Sequence, residues 1–351
     1  MTIHYRVVVA GCGAMAGEWI SYAQKRADTE IVALVDLRTE EAQAAADKYG
    51  LTAGIYTSLQ QAIAETGANL VFDVTVPESH FTVAQTALEA GCHVFSEKPL
   101  AASMEQCNRI VDLAERCGRS HAVMQNRRYD PRIRALRSLI EDGAVGRPGY
   151  LAASFFLAPH FGGFRDAMQS PLLLDMAIHT FDQARLISGA DPVTVYCQEF
   201  NPAGSWYAGN AAAVCIFEMS DGSVFCYQGS WCAEGAPTSW EASWRIQGEK
   251  GAALWDGQGM PYAEVISGSA TGQFIHDYER IEAEAAEMKE VFHHGCLDEM
   301  FRSLDERRPA ETDCRDNRYS MAMVFGALES ARSGRKVEIA ELLQSTGVPA
   351  E

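Results

Sequence analysis

Residues 6–17 read RVVVAGCGAMAG, a short β-branched run that enters a turn with glycine at 11 and 13 and alanine at 16. Gly11 and Gly13 supply the tight turn and the close backbone approach that a pyrophosphate requires. Ala16 stands at the third position of a G-x-G-x-x-G/A pattern, where a small residue lets the following helix pack closely. Cys12, Ala14 and Met15 complete the turn. The free amides at the start of the next helix point at phosphate, so no lysine is needed. Such a turn alone is weak evidence, but its context is present: a strand before, a helix after, and Asp36 closing EIVALVD (30–36) about 20 residues on. An aspartate there accepts hydrogen bonds from ribose hydroxyls and repels a 2′-phosphate, which favours NAD. Arg38, two residues later, can pair with that phosphate and so admits NADP.

Outward from this turn, short β-rich runs alternate with amphipathic stretches. The strand candidates are 6–11, 30–36, 69–76, 92–97 and 120–126, and the helices are 14–26, 39–48, 58–66, 79–90 and 103–117. Ser103 with Gln106 three residues on makes a capping-box start for the last helix. The alternation predicts an α/β, doubly wound parallel sheet over residues 1–125, a Rossmann domain with its ligand at the carboxyl ends of the strands. A chain of 351 residues then has room for a second domain, 126–351.

Composition narrows the function classes. Twenty-nine basic against 47 acidic side chains give a net charge of −18, which opposes nucleic acid and anionic membrane. No apolar run approaches the ~18 residues of a membrane span, and MTIHYRVVVAG enters a strand without a basic leader, so a cytoplasmic protein is expected. Ten cysteines are scattered without a C-x-x-C pair; they read as reduced core thiols, with neither zinc nor disulfides expected. His293 and His294 follow an acidic run without further ligands and read as a solvated helix end, not a metal site.

Two further stretches carry chemistry. TVPESH (75–80) and SEKP (96–99) both end strands at the predicted ligand edge. Pro99 forces Lys98 out of helical conformation, a restraint that matters only for an aimed side chain. In DMAIHTFD (175–182), Asp175, His179 and Asp182 are spaced four and three apart, one face of a helix. An imidazole can take a hydroxyl proton near neutrality, and a neighbouring carboxylate can fix its tautomer. Taken alone, a histidine on an apolar helix is more often a hydrogen-bonded core residue.

The ordered set GCGAMA, Asp36, VPESH, EKP (97–99), NRRYDP (126–131) and LLLDMAIHTFD (172–182) resembles the glucose-fructose oxidoreductase, inositol dehydrogenase and rhizopine catabolism (Gfo/Idh/MocA) family of sugar oxidoreductases, through residues 308–339. The resemblance implies that Lys98 reaches the nicotinamide ribose and the substrate hydroxyl with Glu97 orienting it, and that the Lys98–Pro99 bond is cis. It implies that Thr75, Pro77, His80 and Asn126 contact the cofactor, and that Asp175 and His179 bind substrate or act in catalysis. Many members carry a glycine pair where this chain has Ser170 and Pro171, which leaves the substrate open.

Beyond residue 131 a helix (131–146) and a strand (149–157) precede a glycine-rich loop (158–171) bearing His160 and Arg165, each on even terms a substrate contact or a solvated residue. Short strands then dominate: 193–200, 211–219, 223–231, 239–248 and 252–257, with SDG and GEKG as hairpin turns. The expectation is an α+β domain, an open, mostly antiparallel sheet with helices on one face. Trp231, Trp240 and Trp244 on it suit sugar stacking, core or subunit contact. The resemblance implies a homodimer or homotetramer through this sheet. The reading is an NAD(P)-dependent oxidoreductase passing hydride between nicotinamide and a secondary alcohol or carbonyl of a sugar, cyclitol or derivative. The alternatives are an NAD-dependent glycosidase using transient oxidation and a non-catalytic dinucleotide-binding regulator.

Overall fold

The structure is a computed structural model that describes residues 4–268 and 274–344. By contacts the chain divides into two compact units. In the first, the apolar runs form β1 (Tyr5–Ala10), β2 (Thr29–Val35), β3 (Gly54–Tyr56), β4 (Leu70–Asp73), β5 (His93–Ser96) and β6 (His121–Val123). Between them lie α1 (Ala16–Lys25), α2 (Thr39–Tyr49), α3 (Leu59–Thr66), α4 (Pro77–Glu89) and α5 (Met104–Cys117). The sheet order is β3-β2-β1-β4-β5-β6 and every pairing is parallel. Strand order therefore reverses between β1 and β4, the switch point at which such sheets bind ligands. Val7, Val8, Val9, Leu70, Val71 and Phe72 are fully buried, as parallel strands covered on both faces must be. Ser103 accepts from the Gln106 amide as the sequence predicts. β3 was not foreseen: three residues, GIY, are too few to show a period.

The second unit, Arg127–Lys289 with Ala322–Leu342, opens with α6 (Pro131–Glu141), β7 (Pro148–Phe156) and α7 (Ile178–Ser188). Its remaining strands are β8 (Pro192–Phe200), β9 (Ala212–Met219), β10 (Val224–Ser230), β11 (Ser243–Gly248), β12 (Gly251–Trp255), β13 (Tyr262–Ile266) and β14 (Tyr278–Glu282). With a late strand, Val337–Glu338, they form one nine-stranded sheet in which β7 and β10 pair in parallel and the other neighbours antiparallel. Burial alternates along β8 and β9, so one face is core. Phe181 of α7 fills it, its ring 5.0 Å from Phe217 and 5.2 Å from Tyr227. Trp231 and Trp244 are buried in this unit, whereas Trp240 is exposed. β14 was hidden in sequence by its charges; every residue of it is exposed, which suits an edge strand that must not pair further.

Residues 290–321, beyond the expected boundary at 126, pack with the first unit. The reason is aromatic: Phe301, on α8 (Phe292–Asp305), lies 5.1 Å from the Tyr5 ring, 6.1 Å from Phe72 and 5.3 Å from Phe95. His294 is correspondingly half-buried against Tyr22, not solvated, with ring centroids 5.4 Å apart. α9 follows at Cys314–Ser333. Among the described residues, no helix is long and apolar enough to cross a membrane.

Candidate functional site

A cleft of about 800 Å³ opens at the carboxyl ends of β1, β2 and β4, lined among others by Gly11, Gly13, Asp36, Arg38, Val74 and Thr75. Gly11 has φ +87°, and a Cβ there would lie 2.5 Å from the Val74 carbonyl oxygen, so no other residue fits. Gly13 is the opposite case: a Cβ would meet nothing within 4 Å, which leaves open space beside the turn. The backbone amides of Cys12 and Arg38 donate to the two oxygens of Asp36, each at 2.9 Å, and lock the carboxylate at the cleft wall. The Cys12 thiol is buried, and its pKa is pushed up to about 12 by desolvation, so this residue contributes its amide alone. Arg38 is exposed and lies 3.2 Å from Glu41. Thr57, Ser58 and Gln60 also line the cleft. They follow the unforeseen β3 and carry no motif by which sequence could single them out.

At the same sheet edge the Lys98–Pro99 bond is cis. Glu97 is held between Trp19, whose indole Nε1 donates at 2.9 Å, and the Lys98 amide at 3.3 Å. Pro77 starts α4, where its missing N–H costs nothing. Asn126 Nδ2 lies 3.4 Å from His293 Nδ1. His80 is only 1% exposed, and its ring is enclosed by the carbonyls of Pro99 and Thr75.

In the second unit, residues Leu172–Ala177 form a π-helical turn that runs into α7. The sequence spacing assumed one regular helix, but the wider turn moves Asp175 off the 3.6-residue register that relates His179 to Asp182. Arg165 Nε donates to Asp175 Oδ2 at 2.7 Å, and its guanidinium lies 5.0 Å and 4.8 Å from the Phe161 and Phe164 rings. His160 is not part of this group; it stacks on Trp206 and bonds Glu234 at 2.8 Å. His179 is buried on α7. Asp182 is bound bidentately by Arg128, at 2.6 and 2.7 Å, in the core. Arg127 lies 3.3 Å from Glu241, whose other oxygen accepts from Gln183 on α7. Burial raises the Glu241 carboxyl, with Arg127 opposing. NRRYDP is thus a polar anchor for α7, a role its charges alone did not disclose.

Two family profiles match the chain: an oxidoreductase family with an NAD-binding Rossmann fold over residues 5–125, and the GFO/IDH/MocA C-terminal domain over 133–254. The chain belongs to the Gfo/Idh/MocA oxidoreductase family. An uncharacterized protein of Sinorhizobium fredii is 28% identical over 99% of both chains. D-glucoside 3-dehydrogenase of Escherichia coli is 31% identical over 57% of this chain and 59% of its own length. Inositol 2-dehydrogenase of Corynebacterium glutamicum is 32% identical over 56% and 57%. The chain thus spans little more than half of these enzymes. An Agrobacterium radiobacter oxidoreductase, solved with NAD+, L-tartaric acid and magnesium, shares the fold at TM-score 0.84 and 22% identity, over 97% of this chain and 99% of its own. Its first unit is the family's NAD-binding Rossmann fold, and the residues there fit that cofactor: open space beside Gly13 and an aspartate locked at the cleft wall.

Proposed function

We propose that this oxidoreductase interconverts a secondary alcohol and a ketone on a sugar, cyclitol or related polyol, with NAD as the hydride carrier. The observation that carries the reading is Asp36, whose two oxygens are fixed by the Cys12 and Arg38 amides at the wall of the cleft that also holds the Gly11–Gly13 turn. Asp36 would take the adenosine ribose hydroxyls and the turn amides the pyrophosphate. Arg38, already beside Glu41, is compromised as a 2′-phosphate partner, which favours NAD over NADP.

Bound NAD supplies the hydride acceptor at the carboxyl edge of the sheet. Lys98 follows β5 at that edge, its amide donating to Glu97. Its ammonium holds the reacting oxygen and stabilises negative charge on it. His179 takes the hydroxyl proton on a ring nitrogen and returns it in the reverse direction. Asp175, fixed by Arg165, supplies a carboxylate beside the same helix turn for a substrate hydroxyl or for the imidazole. The activities printed for the D-glucoside and inositol relatives support a polyhydroxylated ring as substrate. The exposed apolar residues Val193, Tyr196, Val214 and Ile216 on β8 and β9 support assembly of like chains through the outer sheet face.

A screen of polyols, aldoses and glycosides with NAD and NADP, read by NADH absorbance, tests the reading. Lys98→Met and His179→Ala should each lower kcat by about 10²–10⁴-fold, with NAD still bound. Cofactor binding without turnover, and variants indistinguishable from the parent, would favour the regulator. Sugar release without net NADH would identify the glycosidase.

A further inference from the structure

His80 sits in the first turns of α4 with both ring nitrogens against backbone carbonyls: Nδ1 is 2.6 Å from Pro99 O and Nε2 is 3.1 Å from Thr75 O. A carbonyl oxygen only accepts. A neutral imidazole carries one N–H, so one of these contacts would set two lone pairs face to face in a ring that is 1% exposed. Both contacts become hydrogen bonds only when both nitrogens are protonated.

An acidic group and a second histidine lie close by. From β4, fully buried Asp73 accepts on Oδ1 from the amide (3.1 Å) and hydroxyl (2.6 Å) of Thr75, while its Oδ2 has no hydrogen-bond partner among the described residues. Burial raises the Asp73 carboxyl, and the charge of His80 chiefly opposes that rise. A proton placed on Oδ2 would find no acceptor, whereas one on His80 finds a carbonyl. From β6, His121 also feels His80, and burial pushes its pKa down to about 3, so it is uncharged and does not compete. Glu97 also acts on Asp73, in the raising direction.

We propose that His80 is held as an imidazolium between Thr75 and Pro99 and is the positioning residue that ties the Lys98 loop to the cofactor cleft. Thr75 lines the cleft and Pro99 follows Lys98 directly, so a single ring spans the two segments that must stay in register. Both ring nitrogens of His80 are thus taken up by protein carbonyls, where the resemblance implies a cofactor contact. The consequence for turnover rests on the role proposed for Lys98; the protonation state and the loop tie do not.

The test is NMR of the full chain with nitrogen-labelled histidine, His80 being assigned from the resonance lost in His80→Gln. The expected result is two protonated ring nitrogens at neutral pH. A carbon-labelled, reductively methylated sample reads the loop: the Lys98 resonance should move in His80→Gln while the other lysines stay. If an active substrate is found, His80→Gln should lower kcat by about 10–100-fold, with NAD affinity changed less than threefold. A single protonated nitrogen at neutral pH overturns the charge assignment. An unmoved Lys98 resonance in a folded His80→Gln protein overturns the tie.

Discussion

Gly11 and Gly13 look alike on the page of sequence, two glycines one residue apart in the same turn. Their surroundings separate them: one would drive a Cβ to 2.5 Å from a carbonyl oxygen, the other into empty space. Gly11→Ala should therefore cost about 2–3 kcal/mol of unfolding free energy, from left-handed backbone strain and overlap together, measured by urea titration. Gly13→Val should leave the urea midpoint nearly unchanged, within about 0.5 kcal/mol, yet weaken NAD at least tenfold by calorimetry. A Gly13→Val protein that binds NAD normally would refute the placement of the pyrophosphate. The cofactor pattern was legible because it depends on local backbone freedom. That Asp36 is gripped by Cys12 and Arg38 was not, since the grip requires β1 and β2 to be neighbours.

At the scale of elements, α7 is buried along all of Ile178–Ile187, so its polar side chains need internal partners. Sequence spacing put Asp175, His179 and Asp182 on one face and left their roles to be divided. The fold divides them: Asp175 meets Arg165, and Asp182 meets Arg128, which arrives from the turn before α6. Arg128→Met should leave the Asp182 carboxylate buried without its guanidinium and cost about 3–5 kcal/mol, seen as a lower urea midpoint. Pairing it with Asp182→Leu should recover much of that loss. A single variant as stable as the parent would show that the pair does not anchor the helix. The π-helical turn that displaces Asp175 has no signature in composition. It is read only from hydrogen bonds that reach one residue too far.

Across the whole molecule, the outer face of the second sheet carries exposed apolar residues side by side, Tyr196 opposite Ile216 and the neighbouring Val214, with Val214 and Ile216 each 43% exposed. Light scattering should show the parent as a homodimer or homotetramer and Ile216→Glu as a smaller species with an unchanged circular dichroism spectrum. A monomeric parent would remove the sheet as an interface. By itself the sequence determined the alternating α/β first unit and the mostly antiparallel second sheet, because these depend on short-range periodicity and on glycine and proline geometry, while the family was legible through the resemblance of its ordered motifs. Only the tertiary structure decided the return of residues 290–321 to the first unit, which rests on Phe301 meeting rings from β1, β4 and β5. It also decided that His80 faces two backbone carbonyls, and that Asp175 and Asp182 take different arginines. Each of these is a pairing between groups far apart in the chain, chosen by which buried polar atom or apolar ring lacked a nearer partner, and local pattern carries no record of that choice.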